Sequence, residues 1–294
     1  MKNGNKDMMQ NWYVLALTAL VFFGLERFLY KVSAARECNT AWTTFSFMTT
    51  VALTSSVLFF LLKPGIVDLR FLFLVAAVNS ASFTLGTIMQ IESLKYIPTN
   101  IAYPLVRFNT VIVVLFSIFY FKDRLSVFQA AGIILSIVVL IWMTRQSYEG
   151  QSSQRVVSKG LVFAGVALLS GAVAAISSKF AAVSTNMLAF IALSYIMGAL
   201  FSLMFKGRMH KSTKGSNHRD ALIIGCCMGF VNLAVFYAFL KALSIGPLSI
   251  IISIVGMHFI VAIILAALIY KEKITGRRIA GIILTVVALI LMRY

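Results

Sequence analysis

Arg107 is the residue in this chain whose type and position point most directly to chemistry. It stands well inside a long apolar run, with Tyr103 one helical turn before it. A guanidinium can hold a carboxylate or a phosphate through two parallel hydrogen bonds. Inside a membrane such a charge is costly unless it lines water, meets an acid or meets a ligand. Two interpretations remain: Arg107 holds an anionic substrate group in a cavity, or it is a structural ion-pair partner of Glu26 or Glu92.

Glu26 and Arg27 lie together in the last third of the first apolar run. Neighbouring side chains on a helix point about 100° apart, so the two cannot both face the same neighbour. Glu26 is the carboxylate deepest within an apolar run. It can take part in an ion pair, in substrate contact or in proton coupling, although a nearby arginine holds a carboxylate in its charged form and hinders proton carrying.

His258 lies in the middle of a later apolar run, where a histidine either makes a packing hydrogen bond or lines a cavity. Buried amides are more often contacts between helices than ligand contacts, and aromatic rings can stack on a ring-shaped substrate. The candidate substrate-binding residues are Arg107, Tyr103, Asn109, His258, Glu26, Asn79, Asn232 and Tyr237. No residue spacing indicates catalysis, a metal or a cofactor, and none of these is expected.

The elements that must position these residues are membrane helices. Hydrophobic residues make up 60% of the chain and charged residues 12%, whereas a soluble domain carries about 25% charged residues. The net charge of +17 lies mostly in short gaps between apolar runs, which indicates contacts with lipid headgroups rather than with nucleic acid. A membrane-spanning helix needs about 20 mostly apolar residues. Ten runs qualify: 12–31, 41–62, 71–92, 98–121, 126–144, 160–180, 185–205, 221–243, 247–270 and 275–292.

The second half of the chain repeats the first. Residues 94–143 align without a gap on 243–292, so that the two copies share a proline, a charged turn and an Ala-Gly pair. The matched features are Pro98 with Pro247, Lys122-Asp123-Arg124 with Lys271-Glu272-Lys273, and Ala131-Gly132 with Ala280-Gly281. The halves, 1–148 and 149–294, then have five helices each. Because five is odd, the second half must be inverted in the membrane, an architecture typical of transporters.

The amino terminus resembles a signal peptide, with two lysines before an apolar run, but the run 12–30 is long enough to span the membrane and completes the first repeat. We therefore expect a retained helix. More lysine and arginine residues fall on the side opposite the amino terminus. The positive-inside rule would thus place both termini outside the cytoplasm.

Together these features resemble the EamA-like drug/metabolite transporter superfamily. The similarity lies in ten helices arranged as five plus five, in the charged turn before an Ala-Gly helix in each half, and in a lysine late in the first helix of each half, Lys31 and Lys179. The family turn usually reads Gly-Glu; Lys271-Glu272 keeps the acid, and Lys122-Asp123 has a shorter one. The resemblance implies a central cavity lined by helices one, three, four, six, eight and nine. It also implies cytoplasmic termini, against the charge distribution.

The expected protein is an all-α integral membrane protein with ten transmembrane helices in two inverted five-helix repeats. Its expected function is secondary transport by alternating access, as an exporter or exchanger of an anionic or zwitterionic metabolite, such as an amino-acid-like solute, or of a drug. Alternatives are a sugar or sugar-conjugate uptake carrier of the same fold and, more remotely, a membrane enzyme or a channel. The expected partners are a small-molecule substrate and the bilayer of the cell (inner) membrane. A single chain suffices, and a homodimer is compatible with it.

Overall fold

The computed structural model describes residues 2–62, 65, 68–97, 99–145, 154–204, 218–270 and 276–294, and all regular structure within them is helical. Pro98 and Lys271-Glu272-Lys273 lie outside the described residues, as do most of the polar segments 145–159 and 206–220 between the predicted spans. The helices are α1 Lys2–Ala35, α2 Thr40–Leu62, α3 Leu69–Tyr96, α4 Thr99–Arg107, α5 Asn109–Phe116, α6 Val127–Arg145, α7 Gln154–Ser184, α8 Met187–Met204, α9 His218–Ile245, α10 Leu248–Gly256, α11 His258–Tyr270 and α12 Gly276–Arg293.

Seven helical segments of the described chain are long and apolar enough to cross a membrane. Three shorter apolar segments, Leu105–Phe121, Val127–Val139 and Ile279–Arg293, coincide with the predicted fourth, fifth and tenth spans. The first and sixth helices are longer than predicted, because α1 and α7 begin in polar sequence before their apolar runs. The chain is thus a multi-pass integral membrane protein.

Two predicted helices, 98–121 and 247–270, are interrupted at the same position of the repeat. The first breaks at Phe108 and the second at Met257, its repeat mate. Around each break the backbone uses bonds between residues three apart, Phe108 to Leu105 at 3.2 Å and Met257 to Ile254 at 3.1 Å. Each predicted run still forms one apolar helical path, Leu105–Phe121 and Leu248–Ile269, and the one-residue turn within it is a feature that the sequence did not predict. A tight turn within a helix often marks a functional site or hinge.

The charged turn after the fourth predicted span forms hydrogen bonds with the second half. A π-helical segment, Ser117–Phe121, ends at Lys122, whose φ of 54° is left-handed and stops the helix. The Asp123 carboxylate then accepts hydrogen bonds from the Ser249 backbone N–H at 3.0 Å and from the Ser249 hydroxyl at 2.7 Å. Ser249 lies in the first turn of α10, where unpaired N–H groups attract an acid. The first half thereby caps a helix of the second half.

The contacts between the two halves form a symmetric pattern. If each helix is replaced by its repeat mate in the other half, the pattern stays the same. Helix α3 packs along α7 and α1 along α9, while α2 packs on α8 and α6 on α12. Small residues allow such close approach: a Cβ atom at Gly132 on α6 would lie 2.9 Å from the Ala288 carbonyl of α12, and one at Gly229 on α9 would lie 2.6 Å from Thr50 on α2. Helices in membranes associate through close packing of this kind. The core of the molecule therefore lies between the halves.

Candidate functional site

A central cavity lies between the halves, with about 670 Å³ of space including its open mouth. Its lining comes from α1, α3, α4, α5, α7, α9, α10 and α11. Once the two interrupted helices are each counted as one, these are helices one, three, four, six, eight and nine, the set that the family resemblance implies. Of the eight candidate residues, Arg107, Asn109 and His258 line it.

Arg107 is buried, with 8% of its surface exposed, at the carboxyl end of α4 beside the interruption. Its Nε atom has no hydrogen-bond partner, and no ion pair reaches the guanidinium within the described part of the chain. Glu92 is occupied elsewhere, since it accepts from Lys95 Nζ at 2.8 Å and from the Thr40 hydroxyl. The cavity therefore contains a buried cation without a protein counter-charge in contact.

Glu26 lies beside the cavity, fully buried, and its neighbours all donate to it. The Tyr30 hydroxyl donates to one carboxylate oxygen at 3.0 Å and Asn232 Nδ2 to the other at 2.8 Å. Arg27 approaches at 3.8 Å, and its guanidinium also stands 4.5 Å from the Tyr30 ring centre. The Tyr195 hydroxyl donates to the Asn232 amide oxygen. Asn232 therefore holds Glu26 in place, and it does not line the cavity.

Arg27 is the functional candidate that the sequence interpretation missed. It lines the cavity and is 7% exposed, and its Nε atom has no hydrogen-bond partner in the part of the chain that the structure describes. The angle between neighbouring side chains on α1 directs Glu26 into the protein and Arg27 into the cavity. The signal was an arginine at membrane depth, which the sequence could not orient. Among the described residues, two cations and no Asp or Glu line the cavity.

Asn109 and His258 are the first residues of α5 and α11 and occupy matched positions of the two repeats. Both are buried in the cavity wall, and Asn109 Oδ1 and His258 Nε2 have no hydrogen-bond partner among the described residues. Gly171 on α7 leaves room for the amide, because a Cβ atom there would stand 2.6 Å from Asn109 Nδ2. Buried polar atoms are normally paired. These two atoms therefore suit a ligand.

Aromatic side chains form the apolar wall of the cavity. Phe83 and Phe236 stack at 6.2 Å with an angle of 17° between their rings, and Phe239 continues the stack at 6.2 Å from Phe236. Phe23 lines the same cavity and packs edge-on against Phe239 at 5.8 Å. Small alanine and glycine residues of α7 complete the wall. The cavity thus combines a cationic part with a broad apolar one, as small-molecule sites usually do.

Three further predicted candidates, besides Glu26 and Asn232, lie outside the cavity lining. The Tyr103 hydroxyl donates to the Arg27 carbonyl and fastens α4 to α1. Asn79 donates to the Ala174 carbonyl and the Ser177 hydroxyl, both at 2.9 Å, and so joins α3 to α7. Tyr237 points outward with 42% of its surface exposed, one position from the lining residue Phe236. Tyr103 and Asn79 therefore make structural contacts between helices. On α9 the side chain that faces the cavity is Phe236 and not Tyr237.

The comparisons with known proteins agree with this geometry. A search of curated protein sequences finds no significant match. One crystal structure, which bears no functional description, superposes with a TM-score of 0.74 at 15% sequence identity; the alignment covers 96% of this chain and 97% of that one. That likeness shows the fold alone. The model of the EamA-like transporter family matches twice, over residues 10–145 and 158–294, once in each half. The chain therefore belongs to the EamA-like transporter family.

Proposed function

We propose that this protein is a secondary transporter for a small organic solute that carries an anionic group. The observation that carries the proposal is Arg107, a buried cation that lines a cavity and has no counter-charge in contact in the described structure. Arg27 adds a second cation. Such a charge is tolerated at membrane depth when it lines water or meets a ligand. The substrate's carboxylate or phosphate is that ligand, and the solute leaves as an exported or exchanged metabolite or drug.

The charge of the lining argues against the alternatives. A sugar carrier of the same fold would need a lining of neutral polar and aromatic groups, whereas the described lining of this cavity holds two arginines and no acid. An enzyme would need paired acids or a nucleophile beside a base. A channel would need rings of charge or a filter. Counterflow in proteoliposomes tests the proposal: saturable, competable exchange of an anionic solute supports it, and non-saturating flux overturns it.

Ten spans in two inverted halves, 1–148 and 149–294, are part of the proposal, with residence in the cell (inner) membrane. Helix α1 packs on α9, and their repeat mates α7 and α3 pack on each other. A twofold axis in the membrane plane would produce this pair of contacts. The matched interruptions at Phe108 and Met257 point the same way. The substrate would lie near this axis, where the two half-helices of each repeat meet.

The topology predicts which residues share a side of the membrane. In a variant without cysteines, Lys159→Cys and Arg219→Cys should react with a membrane-impermeant thiol reagent from the same side. Both positions are exposed at the start of a span, and the sixth and eighth spans cross the membrane in the same direction. Ser184→Cys, exposed at the far end of α7, should react only from the other side. Labelling of Lys159→Cys and Arg219→Cys from opposite sides would contradict the ten-span order.

Alternating access requires the contact between Asp123 and Ser249 to open and close. Asp123 accepts three hydrogen bonds, including one from Ser117 at 2.6 Å within its own half. Hydrogen bonds to a charged group are worth about 1.5–3 kcal/mol each, and about 1.4 kcal/mol shifts an equilibrium tenfold. Losing the contacts to α10 should therefore favour the state that is open on this side by about tenfold or more.

The test uses Asp123→Ala with a reporter, Ser178→Cys, in the cavity wall. We expect Asp123→Ala to raise the rate at which an impermeant thiol reagent labels the reporter from the Asp123 side by about tenfold. Asp68→Ala is the matched control, since Asp68 caps α3 within its own half through the Arg70 and Phe71 N–H groups. Equal labelling rates in Asp123→Ala and the parent would contradict the role of this contact.

A further inference from the structure

The cavity contains two hydrogen-bond acceptors that the proposed anion site does not use. One is His258, whose Nδ1 stands 2.5 Å from the Val255 carbonyl oxygen. A carbonyl only accepts, so Nδ1 must carry the hydrogen. In a neutral imidazole the other nitrogen, Nε2, then has a free lone pair. That atom is buried at the cavity end of α11, and no described residue forms a hydrogen bond with it.

The second acceptor is the amide oxygen of Asn109. Asn109 stands at the matched position of the other repeat and is 4% exposed, and its oxygen has no hydrogen-bond partner within the described ranges. The duplication therefore places one unsatisfied acceptor on each half-helix that follows an interruption, α5 and α11. An acceptor buried without a donor costs free energy that a bound ligand can recover. The pair selects a substrate that carries donors as well as an anionic group.

The charges of the cavity decide which kind of donor fits. Arg27 and Arg107 line the same space, and none of its described lining residues is an acid. The nearest carboxylate, Glu26, is fully buried, stands 3.8 Å from the Arg27 guanidinium and already accepts from Tyr30 and Asn232. A substrate ammonium would meet two cations and neutral acceptors only, in surroundings where charges are poorly screened. A hydroxyl donates equally well to a nitrogen lone pair or an amide oxygen and meets no such repulsion.

We infer that the substrate is a hydroxylated organic anion with an apolar end, a hydroxy acid in preference to an amino acid. This inference rests on the proposed function, because it takes the anionic group to lie at Arg27 and Arg107. The hydroxyl beside that group donates to His258 Nε2, and Asn109 Oδ1 accepts from a second donor where the substrate carries one. The apolar end lies on the wall formed by Phe83, Phe236 and Phe239. The two acceptors are thus specificity-determining residues.

Three probes that share one carbon skeleton test the inference: 3-phenyllactate, phenylalanine and 3-phenylpropionate. They carry a hydroxyl, an ammonium or no donor at the same carbon. Their dissociation constants are measured by calorimetry on the purified full-length protein. We expect 3-phenyllactate to bind at least about tenfold more tightly than either of the others, because a site built to bond a hydroxyl rejects analogues that lack it.

His258→Phe supplies the matched variant, because it keeps a ring of similar shape and removes the acceptor. It should weaken 3-phenyllactate by about tenfold and leave 3-phenylpropionate unchanged, so that the preference disappears. Unchanged binding of 3-phenylpropionate also shows that the cavity is folded. His218→Phe is the control, since His218 packs against Trp42 outside the cavity lining. It should keep the preference.

The results distinguish a failure of the hydroxy-acid inference from a failure of the proposed transport function. Tighter binding of phenylalanine than of 3-phenyllactate would overturn the inference, as would a preference that survives His258→Phe or a failure of all three probes to bind. The proposed function would still stand if another anion bound in a manner that depended on Arg107. It would fail with the inference if no anionic solute were transported, or if Arg107→Ala bound and transported every anionic solute normally.

Discussion

Replacing Arg107 by alanine should abolish binding and counterflow of the anionic substrate, with a loss of affinity of about 100-fold or more. The guanidinium is buried in the cavity wall without a protein counter-charge in contact, so the substrate's anionic group is its partner. Arg107→Lys should weaken binding less, by about tenfold, because an ammonium keeps the charge but lacks the planar pair of donors. The measurement is equilibrium binding of a radiolabelled substrate, followed by counterflow.

The stability of Arg107→Ala separates a ligand-binding arginine from a structural one. Removing one member of a buried ion pair costs about 3–5 kcal/mol, because it leaves the other charge uncompensated. Arg107 has no such partner among the described residues, so the thermal midpoint of Arg107→Ala should be equal to or above that of the parent. Arg36→Ala is the control, because Arg36 pairs with Asp220 at 2.9 Å on the surface. It should retain substrate binding.

A destabilised Arg107→Ala protein would indicate a structural arginine. If Arg107→Ala lowers the thermal midpoint, and a second substitution at Glu26 or Glu92 restores it, Arg107 is a structural ion-pair partner. The anion site would then have to be sought around His258 and Asn109. The present contacts of Glu92 with Lys95 and Thr40 argue against that result.

The helices and the duplication were predictable because their signals are long. Apolar runs of membrane-spanning length need no tertiary information, and a proline, a charged turn and an Ala-Gly pair fix the register of the repeat. The interruptions were not predictable. Phe108 and Met257 are neither glycine nor proline, and Pro104 near the first break corresponds to Ser253 near the second. A change from bonds four residues apart to bonds three apart leaves no trace in composition.

The site was predicted less well than the fold, because it depends on the direction of single side chains. The spacing showed that Glu26 and Arg27 diverge but not which of them faces the cavity. The direction of the side chains on the eighth predicted helix was equally uncertain from the sequence. Tyr237 was therefore predicted to line the cavity, whereas its neighbour Phe236 does so. Asn79 was a reasonable candidate, and only the positions of Ala174 and Ser177 reveal its bonds to α7. Type and depth indicate candidates, whereas packing selects among them.

Glu26→Ala should be the most destabilising single substitution near the cavity. It removes the acceptor of Tyr30 and Asn232 and the negative charge beside Arg27. Leaving a buried charge uncompensated costs about 3–5 kcal/mol, and each stranded donor adds about 1–3 kcal/mol. Thermal unfolding in detergent measures the loss. Glu92→Ala is the matched control and should cost less, because its partner Lys95 lies nearer the surface and can be solvated.

A double substitution identifies the origin of that loss. If the charge of Arg27 causes most of it, Glu26→Ala combined with Arg27→Ala should be more stable than Glu26→Ala alone, and the coupling free energy should exceed about 1 kcal/mol. A Glu26→Ala protein as stable as the parent, whose transport no longer responds to a proton gradient, would contradict this role and make Glu26 a proton-coupling residue instead. The contacts favour the first result, because Tyr30 and Asn232 already donate to both carboxylate oxygens and leave Glu26 the counter-charge that holds Arg27 at the cavity wall.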